Sequence, residues 1–260
     1  VELPAFLKYR SWIGSDRDGN PNVTPDVTRW TFQRQRLKTL THLHNELTDL
    51  RDELSLSSRQ YGLPDVLRKS LESDRANDRL PDALADRYHR EPYREKVSYM
   101  MAQVEQLHEA SSYETLEACR LDPRTDAYRP DDLLADLDVL VESLEAQGFE
   151  EAATTGQLHR VRVLVQTFGF HLAALDVRQH SKIHESAVGA MLKAAGVTDD
   201  YAALSEDEKL AILTEELTNP RPLLRSFDDL PDAAATLLEV FELLRTIHQI
   251  DNNAVGSYIV

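Results

Sequence analysis

A polar segment near the start of the chain concentrates groups that could do chemistry. Residues 11–24 have the sequence SWIGSDRDGNPNVT and lead into a predicted helix. A loop before a helix N-terminus can bind anions, because free backbone N–H groups and the helix dipole favour negative charge. We expect Asp16 and Asp18 to hold Arg17 in a fixed pose, with its guanidinium directed outward to a substrate.

Two other interpretations of this segment stay open. In the first, its Asp, Asn and Gly residues only satisfy the geometry of a tight turn. In the second, the order Asp-x-Asp-Gly-Asn forms a calcium loop. That interpretation is weaker, because Arg29 or a neighbour falls where a calcium loop places its closing glutamate.

A second candidate site follows an apolar run later in the chain. Residues 175–184 have the sequence LDVRQHSKIH, in which polar groups begin abruptly at Arg178. In a β/α barrel the C-terminal ends of the strands carry the site, and an arginine there can grip a phosphate or carboxylate with two hydrogen bonds. The alternative is that Arg178 only pairs with Asp176 at the end of a strand.

The remaining reactive side chains favour structural roles. His180 and His184 are four residues apart and could share a helix face, but without a third ligand they do not predict a metal site. Cys119 has no activating neighbour in the sequence and is expected to be a small buried thiol. We therefore predict no metal ligand in this chain.

Helices must supply most of the framework for these groups. Thr24, Pro25 and Asp26 are typical of a helix start, and leucines at three- and four-residue steps extend that helix to about Leu54–Ser58. Further helices are predicted over 64–75, 93–110, 131–147, 154–168, 183–195 and 232–247, with a short turn of helix over 113–119. Another should follow the capping box that begins at Ser205.

Strands are predicted at three places. Residues 9–13 favour a short strand, and residues 254–260 another. The apolar run 170–177 is interpreted as a buried strand, although a helix end would show the same pattern. Residues 76–90 are predicted to be an exposed connection, and 219–222 a loop.

These patterns predict a mainly α protein with a few short parallel strands. Residues 1–168 should hold the polar loop and a helical region. Residues 169–260 should form a strand-helix-strand part of a β/α barrel, with helical crossovers between parallel strands. Both ends of the chain look cut, which predicts a fragment of a larger protein.

Composition narrows the function classes. The chain has 260 residues with 29 Lys+Arg against 45 Asp+Glu, for a net charge of -16, and this balance argues against a nucleic-acid binder. No apolar run reaches about 18 residues, the length that a membrane-spanning helix needs. Arginine (22) far exceeds lysine (7), which favours a halophilic source, although an ordinary acidic cytosolic protein is the alternative.

Together the two polar segments resemble phosphoenolpyruvate carboxylase. The first is similar to that family's SWxGGDRDGNPNVT signature, with Ser15 in place of the second glycine of the pair. The second is similar to its LDIRQES strand motif, with Val177 for isoleucine and His180 for glutamate. The segments at 221–224 and 256–260 also look similar, so the resemblance covers essentially the whole chain.

The resemblance implies an enzyme that adds bicarbonate to phosphoenolpyruvate, giving oxaloacetate and phosphate. By position in the motifs, Arg178 should contact the phosphate of phosphoenolpyruvate, and Arg17 should lie near the active site and steady phosphate or carboxylate charge. Asp16, Asp18, Gly19 and Asn20 should shape the loop. The fold implied is a helix-rich portion of a β/α barrel.

The same resemblance implies partners and parts that this chain lacks. The family's histidine motif (TAHPTE), its metal-binding acids and its GRGG loop have no match here. We therefore expect Mg²⁺ or Mn²⁺ to be held outside this chain and the isolated chain to be inactive. A cytoplasmic homotetramer from a halophilic archaeon is expected for the longer protein. The rival hypotheses are a non-catalytic helical scaffold or regulatory domain, and a different phosphoenolpyruvate-using enzyme.

Overall fold

The predicted predominance of helices is confirmed. The computed structural model describes residues 6–77, 87–124, 127–224 and 230–260. The helices described are α1 (Pro25–Glu53), α2 (Ser58–Tyr61), α3 (Asp65–Ala76), α4 (Pro92–Ala110), α5 (Pro130–Ala146), α6 (Glu150–Thr154), α7 (Gly156–Phe168), α8 (Ser181–Ala194), α9 (Glu206–Thr218) and α10 (Asp232–Ile250). The strands are β1 (Arg10–Ser11), β2 (Ala174–Arg178) and β3 (Val255–Ile259).

Two helix starts follow directly from their capping residues. The Thr24 hydroxyl accepts a hydrogen bond from the backbone N–H of Val27 at 3.3 Å, and Pro25 occupies the first turn of α1. Ser205 and Glu208 form the predicted reciprocal capping box at the start of α9. Each cap satisfies backbone N–H groups that have no partner within the helix.

The largest core lies among α1, α3, α4, α5 and α7. Apolar side chains from the inner faces of these helices are almost fully buried there, among them Leu40, Leu47, Leu67, Val97, Met100, Leu137 and Val161. Their three- and four-residue spacing is the pattern that predicted the helices. This core fixes the axis of α1, whose N-terminal end borders the polar loop.

Two charged groups buried inside the helical region have charged partners. Lys96 is almost fully buried, and its Nζ lies 2.7 Å from Asp74 Oδ2 and 2.5 Å from Asp136 Oδ1. The buried Glu95 receives two hydrogen bonds of 2.7 Å from the guanidinium of Arg75. Pairing of this kind is what allows a charge to leave water.

The three strands form a parallel sheet with β2 in the middle. Arg10 pairs with Ala174 and Leu175 pairs with Val255, with an irregularity between Leu175 and Val177. Helices α8, α9 and α10 connect β2 to β3, which confirms the helical crossover expected between parallel strands. Since β1 and β2 pair, the sheet joins residues from both sides of position 168.

One face of β2 packs on helices α1 and α10. Leu175 is buried with Phe32 of α1 and Ile247 of α10, and Val177 with Val240 and Leu244 of α10. Side chains alternate along a strand, so the intervening residues of β2 face the opposite way. The polar side chains at positions 176 and 178 therefore lie on the face away from these helices.

The predicted strand at 170–177 is too long in its first half. Residues 170–173 form a turn, in which Leu172 has a φ of +68° and its N–H donates to the carbonyl of Phe168 at 3.0 Å. His171 is turned inward, and its Nδ1 lies 2.8 Å from Asp251 Oδ2 at the C-terminal end of α10. This contact with Asp251 accounts for the turn, and β2 begins at Ala174.

Other sequence predictions need smaller corrections. Residues 113–119 form turns and no helix, and β1 is two residues long where 9–13 was predicted. Part of the predicted connection at 76–90 lies outside the described residues, because 78–86 are not described. Among the described residues, no helix has the length and apolar character to span a membrane.

Asp251 gives a test of how the turn before β2 is held. Burial acts to raise the pKa of Asp251. The hydrogen bond with His171, the charge of His171 and hydrogen bonds from the backbone N–H groups of Asn253 and Phe170 outweigh the effect of burial, so the pKa is lowered. We expect Asp251→Asn to lower the free energy of unfolding by about 2 kcal/mol at pH 7. Chemical denaturation at a series of pH values measures this loss.

The pH dependence has a definite sign. A carboxyl whose pKa is lower in the folded protein stabilises it above the unfolded pKa, about 4, and loses that effect as the pH falls through the folded value. The difference between Asp251→Asn and the unmutated chain should therefore shrink in acid. The exposed Asp52→Asn serves as control, with a change within about 0.5 kcal/mol. A constant difference at every pH would contradict this account.

Candidate functional site

The polar segment 11–24 folds into a tight loop that returns to the sheet. The turn is closed at Trp12, whose carbonyl accepts hydrogen bonds from the N–H groups of Ser15 at 3.0 Å and Asp16 at 3.2 Å. Gly14 sits inside this turn with a φ of +69°. Residues that carry a side chain rarely adopt this backbone conformation, which explains why a glycine occupies this position.

The turn packs directly on the first turns of α1. A Cβ added to Gly14 would lie 2.0 Å from Thr31 Oγ1 and 2.8 Å from Thr31 Cβ, so there is no room for a side chain. The hydroxyl of Thr28 donates to the carbonyl of Gly14 at 2.5 Å. The loop is therefore fixed on α1 by both shape and hydrogen bonding.

Beyond the turn, the loop pairs with the end of β2. Asp16 and Arg178 form a parallel bridge, in which Arg17 N donates to the Arg178 carbonyl at 2.9 Å and Arg178 N donates to the Ser15 carbonyl at 3.2 Å. The buried Ser15 hydroxyl adds a hydrogen bond of 2.8 Å to the carbonyl of Asp176. The two polar segments of the sequence are thus joined backbone to backbone.

Arg178 lies between the loop's two carboxylates. Its Nη1 is 3.1 Å from Asp16 Oδ2 and its Nη2 is 3.8 Å from Asp18 Oδ2, and the guanidinium lies over the ring of Trp12 at 5.5 Å from the centroid. The arginine side chain keeps about 35% of its surface exposed. It is held in place and still accessible to a ligand.

Asp176 has a different partner from the one considered in the sequence. Its Oδ1 accepts hydrogen bonds of 2.8 Å from Arg10 Nη1 and from the N–H of Ser257. Asp176 therefore ties all three strands together at this face of the sheet. It does not pair with Arg178, whose carboxylate partners come from the loop.

Arg17 points to the other side of the loop–strand pairing. Asp16 and Arg178 oppose each other in the bridge and share a face, so the next residue faces the opposite way. The Arg17 side chain enters the protein, where Nη2 donates to the hydroxyl of Thr28 and Nη1 to the carbonyl of Ser15 at 3.3 Å. Only 7% of this residue is exposed.

The environment of Arg17 contains no counter-charge among the described residues. No carboxylate lies within ion-pair distance of its guanidinium, and its buried Nε has no hydrogen-bond partner. Burial lowers the pKa of Arg17, while nearby Tyr258 has the opposite, weaker effect. Burial also raises the pKa of Tyr258, so this phenol is neutral at pH 7.

A cleft opens beside Arg17. It has a volume of about 620 Å³ and lies between the loop tip, the start of α8 and one face of α10. None of the described residues that line it is acidic. Its polar lining consists of Arg17, Asn20, Thr24, Gln179, His180, Lys182 and Thr236. In a chain with a net charge of -16, Arg17 and Lys182 are the charged residues among its described lining, and their positive charge suits an anion.

The structure changes one expectation about the loop. Asp16 and Asp18 contact Arg178, whereas the sequence suggested that they hold Arg17. Residues adjacent in an extended segment point to opposite sides, so a neighbour 160 positions away is closer to these carboxylates than Arg17 is. The guanidiniums of Arg17 and Arg178 consequently have different surroundings, although their backbones are directly paired.

Gly19 and Asn20 occupy the tip of the loop. Gly19 has a φ of +72° with no atom near its missing Cβ, and Asn20 N donates to the Arg17 carbonyl at 3.2 Å. The Asn20 side chain accepts from the N–H of Asn22 at 3.1 Å. These are turn-forming contacts, so the loop-shaping residues also satisfy local turn geometry.

Sequence reasoning did not single out Thr28, Trp12 or Tyr258. Thr28 is fully buried and bridges Arg17 to Gly14. The hydroxyl of Tyr258 forms a hydrogen bond of 2.9 Å with His184 Nε2. The one available signal was periodicity. Thr28 lies one helical turn after Thr24, at the start of the helix that the loop enters.

The other reactive side chains have local roles. His180 is the N-cap of α8, since its Nδ1 accepts from the N–H of Lys182 at 3.1 Å. Cys119 is buried, and burial raises the pKa of its thiol. Within the described part of the chain, no group of three or more His, Cys, Asp or Glu side chains could hold a metal ion.

Comparison with known proteins identifies relatives over the whole chain. The family model described as phosphoenolpyruvate carboxylase matches residues 1–260. The chain is 46% identical to a phosphoenolpyruvate carboxylase of Rhodothermus marinus over 260 residues, which is all of this chain and 27% of the relative. It is 39% identical to that of Azorhizobium caulinodans over 87% of this chain and 24% of the relative. The chain thus spans about a quarter of the length of the curated relatives it matches.

Two glycines of the loop give a matched test of how it is fixed on α1. Gly14→Ala should lower the free energy of unfolding by about 3 kcal/mol, because a positive φ is strained and the new Cβ meets Thr31. Gly19→Ala has similar backbone strain but open space, and should cost about 1 kcal/mol. Urea denaturation of both variants measures the difference, and equal losses would contradict the packing described.

Proposed function

This chain belongs to the phosphoenolpyruvate carboxylase family, and from that membership we propose that it is part of an enzyme that adds bicarbonate to phosphoenolpyruvate. The products would be oxaloacetate and phosphate, and the role anaplerotic carbon fixation. The observation that supports this most is the pairing of the signature loop with the end of β2, beside the half-exposed Arg178.

Arg178 is the residue we assign to the phosphate of phosphoenolpyruvate. Its planar guanidinium can give two hydrogen bonds to phosphate oxygens. Asp16 and Asp18 hold it on one side and the Trp12 ring lies against its face, so little side-chain freedom remains to be lost on binding. The same carboxylates partly offset its charge, which a bound phosphate would have to compete with.

We propose that Arg17, which faces the other side of the loop–strand pairing from Arg178, meets a second negative group of the reactants at the cleft that it lines. Phosphoenolpyruvate carries both a phosphate and a carboxylate, and bicarbonate adds another anion. Arginines offset the repulsion among such groups and stabilise charge as it develops. Because Arg17 has no carboxylate partner among the described residues, its charge is free to serve a ligand.

The described residues do not fit the divalent metal that the family implies. They contain no cluster of ligating side chains, and the two carboxylates nearest the site already contact Arg178. We propose that ligands for Mg²⁺ or Mn²⁺ come from other parts of a longer protein.

Further properties of the longer protein are part of the proposal. We propose a homotetramer in the cytoplasm, adapted to high salt. The excess of aspartate and glutamate over lysine supports salt adaptation, since such a surface stays hydrated when salt screens its self-repulsion. The comparisons give no support to an archaeal source. The division into residues 1–168 and 169–260 is likewise proposed.

Replacing Arg178 in the full-length protein tests the assignment. Arg178→Ala should lower kcat/KM for phosphoenolpyruvate by at least about 100-fold, because a charged hydrogen-bonding partner of the phosphate is lost, with only a small change in melting temperature. Arg68→Ala, which removes an exposed arginine of α3, is the control and should leave kcat/KM unchanged. Near-normal turnover in Arg178→Ala would favour a non-catalytic scaffold.

The isolated chain offers an independent test. We expect no bicarbonate-dependent oxaloacetate from the 260-residue chain in a malate dehydrogenase-coupled assay, because the metal ligands are proposed to lie elsewhere. The full-length protein in the same assay is the positive control. Oxaloacetate from the chain alone would contradict the proposal that it holds only part of the site, and pyruvate as the main product of the full-length protein would exclude a carboxylase.

A further inference from the structure

A buried threonine connects the second arginine to the signature loop. We propose that Thr28 is a positioning residue, whose hydroxyl holds the Arg17 guanidinium in the orientation that meets an anionic substrate group. The inference rests on the proposed function, because it assigns Thr28 a task only if Arg17 serves the reaction. It adds a residue of α1 to a site otherwise built from the loop and β2.

The hydrogen bonds of Thr28 have one consistent direction. A guanidinium has donors only, so the Thr28 hydroxyl must accept from Arg17 Nη2. The single hydroxyl proton is then available for a carbonyl, and the Gly14 carbonyl at 2.5 Å is much closer than that of Thr24 at 3.4 Å. One fully buried oxygen thereby fixes both the arginine and the loop's tightest turn.

A neutral partner leaves the charge of Arg17 available. The buried Lys96 of the helical core is neutralised by Asp74 and Asp136, as expected of a structural cation. Arg17 instead has a hydroxyl and a carbonyl as partners, which orient a guanidinium without cancelling its charge. An orienting hydroxyl therefore suits a cation that has to attract a ligand.

The position of Thr28 in α1 restricts the movement of the Arg17 guanidinium that it contacts. It lies in the first turns of α1, a helix capped by Thr24 and anchored by the helical core. A partner on a well-packed helix fixes an arginine more tightly than a partner on a loop would. The orientation of Arg17 thus derives from α1, while its backbone position derives from β2.

Two substitutions at position 28 separate the hydroxyl from the side-chain shape. In the full-length protein, Thr28→Val keeps the shape and removes the acceptor, and should lower kcat/KM for phosphoenolpyruvate at least about tenfold. Thr28→Ser keeps the acceptor and should stay within about threefold of the parent. Thr39→Val, at another buried threonine of α1, is the matched control and should leave kcat/KM unchanged.

A double-mutant cycle shows whether Thr28 acts through Arg17. If it does, adding Thr28→Val to Arg17→Gln should produce little further loss, because the group being oriented is already absent. Independent, multiplicative losses would overturn the inference, as would equal kinetics for Thr28→Val and Thr39→Val. If Thr28→Val does not fold, Thr28→Ala removes the same acceptor from a smaller side chain, and melting temperatures identify loss through unfolding.

The cycle also distinguishes failure of this inference from failure of the proposed function. An unchanged kcat/KM in Arg17→Gln would remove Arg17 from the reaction and with it the premise. A large loss in Arg17→Gln together with normal kinetics in Thr28→Val would leave Arg17 in place and overturn only the role of Thr28. Separate values of kcat and KM then show whether orientation matters for binding, for turnover or for both.

Discussion

The backbone pairing between the signature loop and the end of β2 is the constraint on which the rest of the site depends. Two hydrogen bonds join residues 15–17 to Arg178, 162 positions beyond Asp16 in the sequence. The pairing obeys the alternation of extended chains. Asp16 and Arg178 must therefore share one side, and Arg17 must face the other. This placement determines the exposure and the charged partners of the two arginines.

The two sides give the arginines different electrostatic tasks. Arg178 is accessible and restrained by two carboxylates, so its position is defined before any ligand arrives. Arg17 is buried with no carboxylate partner in the described part of the chain, and burying such a charge costs free energy that other interactions of the fold must offset. A protein with a net charge of -16 would repel an anionic substrate at long range. A cation with no carboxylate partner among the described residues, next to a cleft whose described lining has no acidic residue, reverses that effect locally.

Much of the fold was accessible from the sequence because it depends on local rules. The cap at Thr24, the capping box at Ser205 and the leucine periodicity of α1 predicted helices that the structure contains. Local rules failed where a distant partner decides the conformation. His171 leaves the predicted strand because Asp251, 80 positions later, binds its ring. In the same way, Asp16 and Asp18 are neighbours of Arg17 in sequence but of Arg178 in space.

Two of the three departures from the family's motifs, at Ser15 and His180, fit the local structure. Ser15 replaces a glycine, yet among the described residues the only non-glycine with positive φ is Leu172, so position 15 does not need a glycine. Its hydroxyl also bonds to Asp176 of β2, which strengthens the pairing that places both arginines. His180 replaces a glutamate and caps α8, and none of the described residues that line the cleft beside Arg17 is acidic. A carboxylate at position 180 would place a negative charge beside a bound anion, and histidine at this position avoids that repulsion.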